Sequence, residues 1–330
     1  MKHVICYSGG HSSALTAIEA KRLYGKENIV LLNHNINPRY EDEDIKRFKK
    51  EVADYLGIEI TFANINGIED EKEIPSQFDV CEEAGTFVNP NGRQILCTNR
   101  LKTQPFYDYL KTINKDEICV YYGFDSTELQ RVDRRKGILK LEGIMTDFPL
   151  AIWGEDLVEG YNNFKLNELF KTFKKTNKTT EIKDLSEFVS LQKDFIQDAI
   201  KYNLIEITEF KKNKKRTIFS TEEIGIKPPL GYKVWKHANC IGCLKAGQQH
   251  WYCVYVHDYE TFERAKLSEE RIGHSFGNQG YLKDMEPKFK KMFEIGIPAN
   301  EHIPNGVFWK SARFYLKQST QDLFPCECFV

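Results

Sequence analysis

Two groups of residues in this chain have the types and spacing that chemistry needs. The first is Ser8-Gly9-Gly10-His11-Ser12-Ser13. Paired glycines let a backbone approach an anion closely. The N–H groups of such a turn, followed by a helix N-terminus, point at negative charge. The hydroxyls of Ser8, Ser12 and Ser13 add donors. No Gly-Lys-Ser/Thr closes the loop, so it is not a Walker loop, and no third spaced glycine makes it a dinucleotide fingerprint. The second group is thiol-based. Cys240-Ile241-Gly242-Cys243 has chelate spacing, and Gly242 lets the turn tighten. Thiolates so spaced suit tetrahedral zinc or one edge of an iron–sulfur cluster, and the same pair also serves as free thiols.

These residues need elements to hold them. Val4 to Tyr7 is a short apolar run that ends at the glycine turn, and Ser13 to Tyr24 has helical periodicity. Asn28 to Leu32 reads as a second strand, Glu41 to Leu56 as an amphipathic helix closed by Gly57, and Ile58 to Ala63 as a third strand. Strands separated by such helices predict a doubly wound α/β fold with a parallel sheet. Residues 66 to 95 read as an irregular loop carrying Pro75, Gly85, Pro90 and Gly92. Thr98 to Thr112 reads as a helix with Pro105 as its kink or start, followed by a strand over Glu117 to Tyr122. A further amphipathic helix is expected over Tyr259 to Ile272.

Composition bounds the classes. The chain has 330 residues, 41% of them hydrophobic, which excludes disorder as the main state. Lys and Arg number 47 against 48 Asp and Glu, so a nucleic-acid contact requires a local patch rather than a global field. The stretch 160–216 holds 13 Lys and Arg against 8 Asp and Glu and ends Lys211-Lys212-Asn213-Lys214-Lys215-Arg216. It reads as a helical insertion, either a solvated subdomain or a landing surface for a polyanion. No apolar run approaches the ~18 residues of a membrane span. Met1-Lys2-His3-Val4-Ile5-Cys6 lacks a signal-peptide layout, and the expectation is a cytoplasmic protein. Nine cysteines in a chain of this size then point to metal or redox chemistry rather than disulfides. Cys6 and Cys119 lie in apolar runs and read as core thiols. Trp251, Tyr252 and Tyr255 read as core, and His250 and His257 as polar surface.

The glycine loop resembles the pyrophosphate loop of the PP-loop ATP pyrophosphatase superfamily, written Ser-Gly-Gly-x-Asp-Ser. Further segments are similar to its phosphoadenylylsulfate (PAPS) reductase-like branch, phage and bacterial members included. They are Cys97-Thr98-Asn99-Arg100-Leu101-Lys102-Thr103-Gln104-Pro105-Phe106, Tyr122-Gly123-Phe124-Asp125-Ser126-Thr127-Glu128 with Arg131, Phe148-Pro149-Leu150-Ala151-Ile152-Trp153, and Asn239-Cys240-Ile241-Gly242-Cys243-Leu244-Lys245-Ala246-Gly247 with Trp251. The matches run from Ser8 to about Phe276 and skip the basic insertion. Ser12 departs from the pattern, standing where the superfamily has aspartate.

The resemblance implies an adenine-nucleotide alpha hydrolase-like fold with three segments. These are a nucleotide domain over 1–159, a basic insertion over 160–225 and a Cys-x-x-Cys region over 226–330 that packs on the nucleotide domain. It implies ATP or PAPS on Ser8, Gly9, Gly10, His11, Ser12 and Ser13, with adenine along Asn33-His34-Asn35. Asp125 and Glu128 are candidates for Mg²⁺ or ribose hydroxyls, and Arg131, Arg134, Arg135 and Lys102 for phosphates. Cys97 with Cys240 and Cys243 forms a candidate ligand set for a [4Fe–4S] cluster or zinc, with Cys253, Cys81 or a tail cysteine as the fourth. The tail Cys326-Glu327-Cys328-Phe329 resembles the Glu-Cys-Gly tail of PAPS reductases but lacks its glycine, and Cys328 is the candidate nucleophile. Three functions follow as expectations. One is adenylation of an acceptor by ATP for sulfur transfer to a nucleic acid or small molecule, with Ser8, Ser12, Ser13 and Lys102 at the reacting phosphates. Another is reduction of a sulfonucleotide through Cys328. The last is a nucleotide-binding sensor or subunit. Oligomerisation is left open.

Overall fold

The computed structural model describes residues 1–90, 94–153, 215–277 and 280–321. The tail cysteines Cys326 and Cys328, and Lys211 to Lys214 of the basic insertion, lie outside the described residues. The chain divides into two compact units, each built from separated stretches. The first comprises Met1–Asn33, Arg47–Phe62 and Tyr109–Pro228; the second comprises His34–Lys46, Ala63–Asp108 and Pro229–Val330.

The first unit is α/β. Its strands are β1 (Lys2–Cys6), β2 (Ile29–Asn33), β3 (Ile60–Phe62), β4 (Ile118–Tyr121) and β5 (Met145–Asp147). They form one five-stranded, all-parallel sheet in the order β3-β2-β1-β4-β5. The central strands are continuous apolar runs, and all four residues of β4 are buried, as strands covered on both faces require. Helix α1 (His11–Tyr24) follows β1 and buries Ala14, Leu15, Ala17 and Ala20. From β1 the chain winds one way through β2 and β3, then continues on the other side with β4 and β5. That reversal puts the topological switch point between β1 and β4, where open parallel sheets bind ligands at the carboxyl ends of strands.

The chain that returns after residue 214 is pinned to α1 by Glu19, a fully buried carboxylate. Glu19 is paired with Arg22 at 2.8 Å. It also accepts the backbone N–H of Thr217, the Thr217 hydroxyl at 3.0 Å and the Ile218 N–H at 2.9 Å. Residues 215–228 therefore belong to the first unit, whereas the sequence placed most of them in a separate insertion.

The second unit is mostly helical. The amphipathic helix α2 (Glu43–Leu56) begins in it and ends in the first unit. It contains α3 (Asp79–Glu83) and α4 (Leu96–Thr98), which runs through a π turn over Asn99–Thr103 into α5 (Gln104–Lys111). Pro105 sits in the first turn of α5, so it marks a start rather than a kink, and the path from Leu96 to Lys111 is continuous through a wider, under-wound π turn. An antiparallel bridge between Val88 and Ile95 closes the stretch read as irregular and sets α3 beside α4. Helices α6 (Leu129–Leu141) and α7 (Pro149–Ile152) belong to the first unit. The second unit ends with α8 (Gln248–His257), α9 (Tyr259–Ile272), α10 (Leu282–Glu294) and α11 (Asn305–Gln321). Its core packs Phe78, Trp251, Tyr252, Phe262, Phe289 and Phe308. No helix among the described residues is long and apolar enough to cross a membrane.

Candidate functional site

In the first unit, Tyr7 leaves β1 and Ser8 opens the turn. Gly9 has φ +80°, a left-handed conformation that glycine adopts without strain. Gly10 caps α1 with no side-chain hydrogen bond, so the first N–H groups of a 14-residue helix are left to other acceptors. The serines brace the turn. The Ser13 hydroxyl donates to the Gly10 carbonyl at 2.8 Å, and the Ser8 hydroxyl donates to that of Ser13 at 3.3 Å. Ser12 is exposed, and its carbonyl accepts the Thr16 hydroxyl at 2.9 Å.

Gly123, just after β4, lies directly against this turn. A Cβ there would stand 2.7 Å from the Ser12 carbonyl carbon, 2.8 Å from its oxygen and 2.8 Å from the Ser13 nitrogen. The Tyr122-Gly123 segment and the Ser8–Ser13 turn thus meet at the switch point. Asn33 closes the end of β2. Its side-chain amide donates to the Tyr7 carbonyl at 2.5 Å, and its buried Oδ1 has no hydrogen-bond partner. An acceptor left unmatched in a buried position costs free energy unless a ligand donor meets it. His11 accepts the Thr221 N–H through Nε2 at 3.2 Å. Burial, then the nearby Arg216 charge, hold its pKa below the ordinary histidine value, so it is the neutral ring that faces the loop.

The acidic segment is arranged differently from the expectation. Asp125 Oδ1 accepts the Thr127 N–H at 2.8 Å and its hydroxyl at 2.6 Å, while Glu128 Oε2 accepts the Asp125 N–H at 3.3 Å. Together they make a capping box at a helix start. Glu128 also pairs with Arg131, whose guanidinium lies 4.1 Å from the Phe124 ring centre. These carboxylates do not stand as an open Mg²⁺ pair. Cys6, expected as a core thiol, is half-buried, and burial raises it to about 12; Cys119 is buried.

In the second unit, the cysteine turn is held from every side. Gly242 has φ +72° and is enclosed by Thr261, Phe78 and Trp251. The Gln77 amide donates to the Ile241 carbonyl at 2.9 Å and to that of Gly242 at 3.3 Å. The Tyr40 carbonyl accepts the Ile241 N–H at 2.8 Å. His250 Nε2 accepts the Cys243 N–H at 3.2 Å, while its Nδ1 lies 2.5 Å from Glu301. An acceptor at Nε2 makes Nδ1 the donor to Glu301 in the neutral ring. His250, expected on the surface, is therefore a buried brace. His257 is exposed.

Cys97, Cys240 and Cys243 share one electrostatic neighbour, Lys102, which rides on the π turn. Its pKa is raised, first by the Cys240 charge and then, against burial, by those of Cys243 and Cys97. Burial pushes Cys240 up to about 11, opposed by Lys102, and raises Cys243 as well. At neutral pH these are thiols, and the lysine's attraction grows as each ionises. Cys81 and Cys97 are hydrogen-bonded to one another, which lowers Cys81 and raises Cys97.

Cys253 is buried on α8, raised to about 12 by burial and then by Glu301, and shares none of the neighbours of the other three. The thiol that joins Cys97 is Cys81 rather than Cys253. Among the described residues, no three His, Cys, Asp or Glu side chains are grouped to hold a metal ion. The Cys97, Cys240, Cys243 and Cys253 set thus does not fit a zinc or iron–sulfur ligand shell as arranged. His34, expected beside adenine, belongs to this unit. It contacts the Ala63 carbonyl through Nδ1, and burial lowers its pKa. Compared with known proteins, the chain matches no family model, no curated protein and no solved structure.

Proposed function

We propose that the protein binds ATP through the Ser8–Ser13 turn and adenylates an acceptor, releasing pyrophosphate, in the service of sulfur transfer. The observation that carries this reading is the turn itself. A left-handed glycine and an uncapped helix N-terminus follow the central strand of a β3-β2-β1-β4-β5 parallel sheet, at its switch point. Backbone N–H groups there would hold phosphate oxygens, and a preorganised set of donors costs no reorganisation as charge moves to the leaving pyrophosphate. The orphan Asn33 Oδ1 would accept an N–H of the nucleotide. With Ser12 in place of an acid, charge at the phosphates is met by amide and hydroxyl donors. The sulfur side of the reaction is assigned to the buried thiols around Lys102.

The capping box at Asp125 and Glu128 favours a second reading, nucleotide binding without turnover, because the candidate metal carboxylates are engaged locally. Incubation with radiolabelled ATP and candidate acceptors separates the two. Pyrophosphate release matched by AMP bonded to the acceptor, or freed when sulfide is added as the displacing nucleophile, and abolished by Gly9→Val, supports adenylation. Saturable ATP binding with no pyrophosphate released supports the sensor. Absence of ATP binding removes both.

A further inference from the structure

We infer that a cavity in the second unit, walled by Cys240 and Cys243, binds a small sulfur-bearing dianion of the thiosulfate class. The inference rests on the reading that these thiols handle sulfur, and names the sulfur compound they meet.

The cavity has a volume of about 450 Å³, ample for such an ion with part of its water. Three features give it a preference for negative charge. Lys236, His237 and Lys245 line it. Gly247 and Gln249 also line it, at the start of the ten-residue helix α8, which Gly247 caps with no side-chain hydrogen bond. The first N–H groups of α8 and the positive end of its dipole therefore add to the two lysines, with His237 as a further polar group. The one carboxylate among its described lining residues, Glu301, has both oxygens engaged in hydrogen bonds. One of its oxygens lies 2.5 Å from His250 Nδ1, and the other accepts the Lys236 N–H at 2.8 Å.

Two features turn an anion site toward sulfur. Cys240 and Cys243 contribute to the wall, and Cys243 is the more accessible of the two, half-buried where Cys240 is buried. Trp235, Ile241 and Ile303 give the remaining wall an apolar character. A terminal sulfur is larger, softer and less hydrated than an oxyanion oxygen, and it loses less on being packed against thiols and hydrocarbon. Sulfate has the same charge but presents only strongly hydrated oxygens. The turn carrying the thiols is fixed by Gln77, Tyr40 and His250, so the wall is preformed.

The test is calorimetric titration of the full-length protein with sodium thiosulfate and, at matched ionic strength, with sodium sulfate. It uses no ATP, so loss of the anion site and loss of ATP turnover are read separately. Saturable one-to-one binding is expected, with thiosulfate about tenfold tighter than sulfate. Lys245→Glu should weaken both anions about tenfold or more, the scale of a lost charge-assisted contact. Cys243→Ser should abolish the preference for thiosulfate and leave sulfate binding in place. Lys236→Glu serves as the second charge reversal if Lys245→Glu alters the melting curve. Three results would overturn the inference: no saturable heat with thiosulfate, equal affinity for the two anions in the native protein, or binding indifferent to both charge reversals.

Discussion

Gly123→Ala tests whether the switch point is as tightly built as its geometry implies. A Cβ at this position would lie 2.7–2.8 Å from backbone atoms of Ser12 and Ser13, well inside ordinary contact. The obstruction is backbone, so no side chain can swing away. Relief requires the Ser8–Ser13 turn to retreat by roughly half an ångström or more, and such overpacking costs about 1–3 kcal/mol. In a protein of this size that corresponds to a fall in Tm of roughly 1–4 °C. The larger effect falls on binding. Donors displaced from the phosphate oxygens each forfeit about 1.5–3 kcal/mol of charge-assisted hydrogen bonding, so affinity for ATP should drop at least tenfold. Gly137→Ala is the control. It lies within α6, where an added Cβ meets nothing within 4 Å, and it should leave binding intact while stabilising by about 0.5–1 kcal/mol. Calorimetric ATP titration and thermal melting of both variants supply the readout. If Gly123→Ala binds ATP as tightly as the native chain, the turn is not the nucleotide site, or it is too pliant for the proposed preorganisation.

Gly242→Ala adds a side chain at φ +72° that would meet Thr261 Cγ2 at 2.6 Å. It should cost about 2–4 kcal/mol and loosen the thiols; an unchanged melting curve with unchanged thiol-labelling rate would count against the braced turn. Glu19→Ala removes the acceptor for Thr217 and Ile218. Tryptic cleavage after Arg216 should accelerate several-fold, and no change would show that the segment is held by other contacts. Glu269, buried and raised from 4.5 to about 7 by burial, carries a pH signature. Its folded form keeps the proton longer than its unfolded form, so stability should fall by about 3 kcal/mol as pH rises from the ordinary carboxyl range to about 7 and stay level above. Urea unfolding of Glu269→Gln should lack that slope; parallel profiles for variant and native protein would refute the assignment.

The parts of this fold that local chemistry specifies were readable in the sequence. The turn after β1, the apolar strands and the Tyr259–Ile272 helix follow from glycine placement and periodicity within a dozen residues. What escaped is what long-range contacts decide. Gln77 and His250 brace the cysteine turn, yet Gln77 is 164 residues from Ile241, and nothing local distinguishes it from a surface glutamine. Nothing local marks Glu19 within the Ser13–Tyr24 helix, and only the returning chain 198 residues later explains a fully buried carboxylate there. Cys81 was one thiol among several until the Val88–Ile95 bridge set its helix beside Cys97. Asp125 and Glu128 carried a signal for the observed role: Asp-x-x-Glu is the spacing of a capping box, and it competes with metal ligation for the same oxygens.

The two proposed anion sites use one physical device. Helix α9 begins at Asp258, whose side chain accepts the Thr261 N–H at 3.1 Å and so consumes one of the helix's unmatched donors. Helices α1 and α8 begin at Gly10 and Gly247 instead, with no side chain to do this. Glycine at such a position gives up only a few tenths of a kcal/mol relative to a good cap, so the donors stay available at little cost to the helix. What differs is the company each end keeps. Gly10 is flanked by hydroxyls that brace the turn, which suits an extended phosphate chain needing many short contacts. Gly247 is flanked by Lys245 and faces thiols, which suits a compact ion with a soft terminus. Placing aspartate at position 10 or 247 would cap the helix and fill the anion position with a carboxylate. Gly10→Asp should abolish ATP binding and leave thiosulfate binding untouched, and Gly247→Asp should do the reverse. If either substitution erased both activities at once while the protein stayed folded, the division of labour between the two helix ends would be wrong.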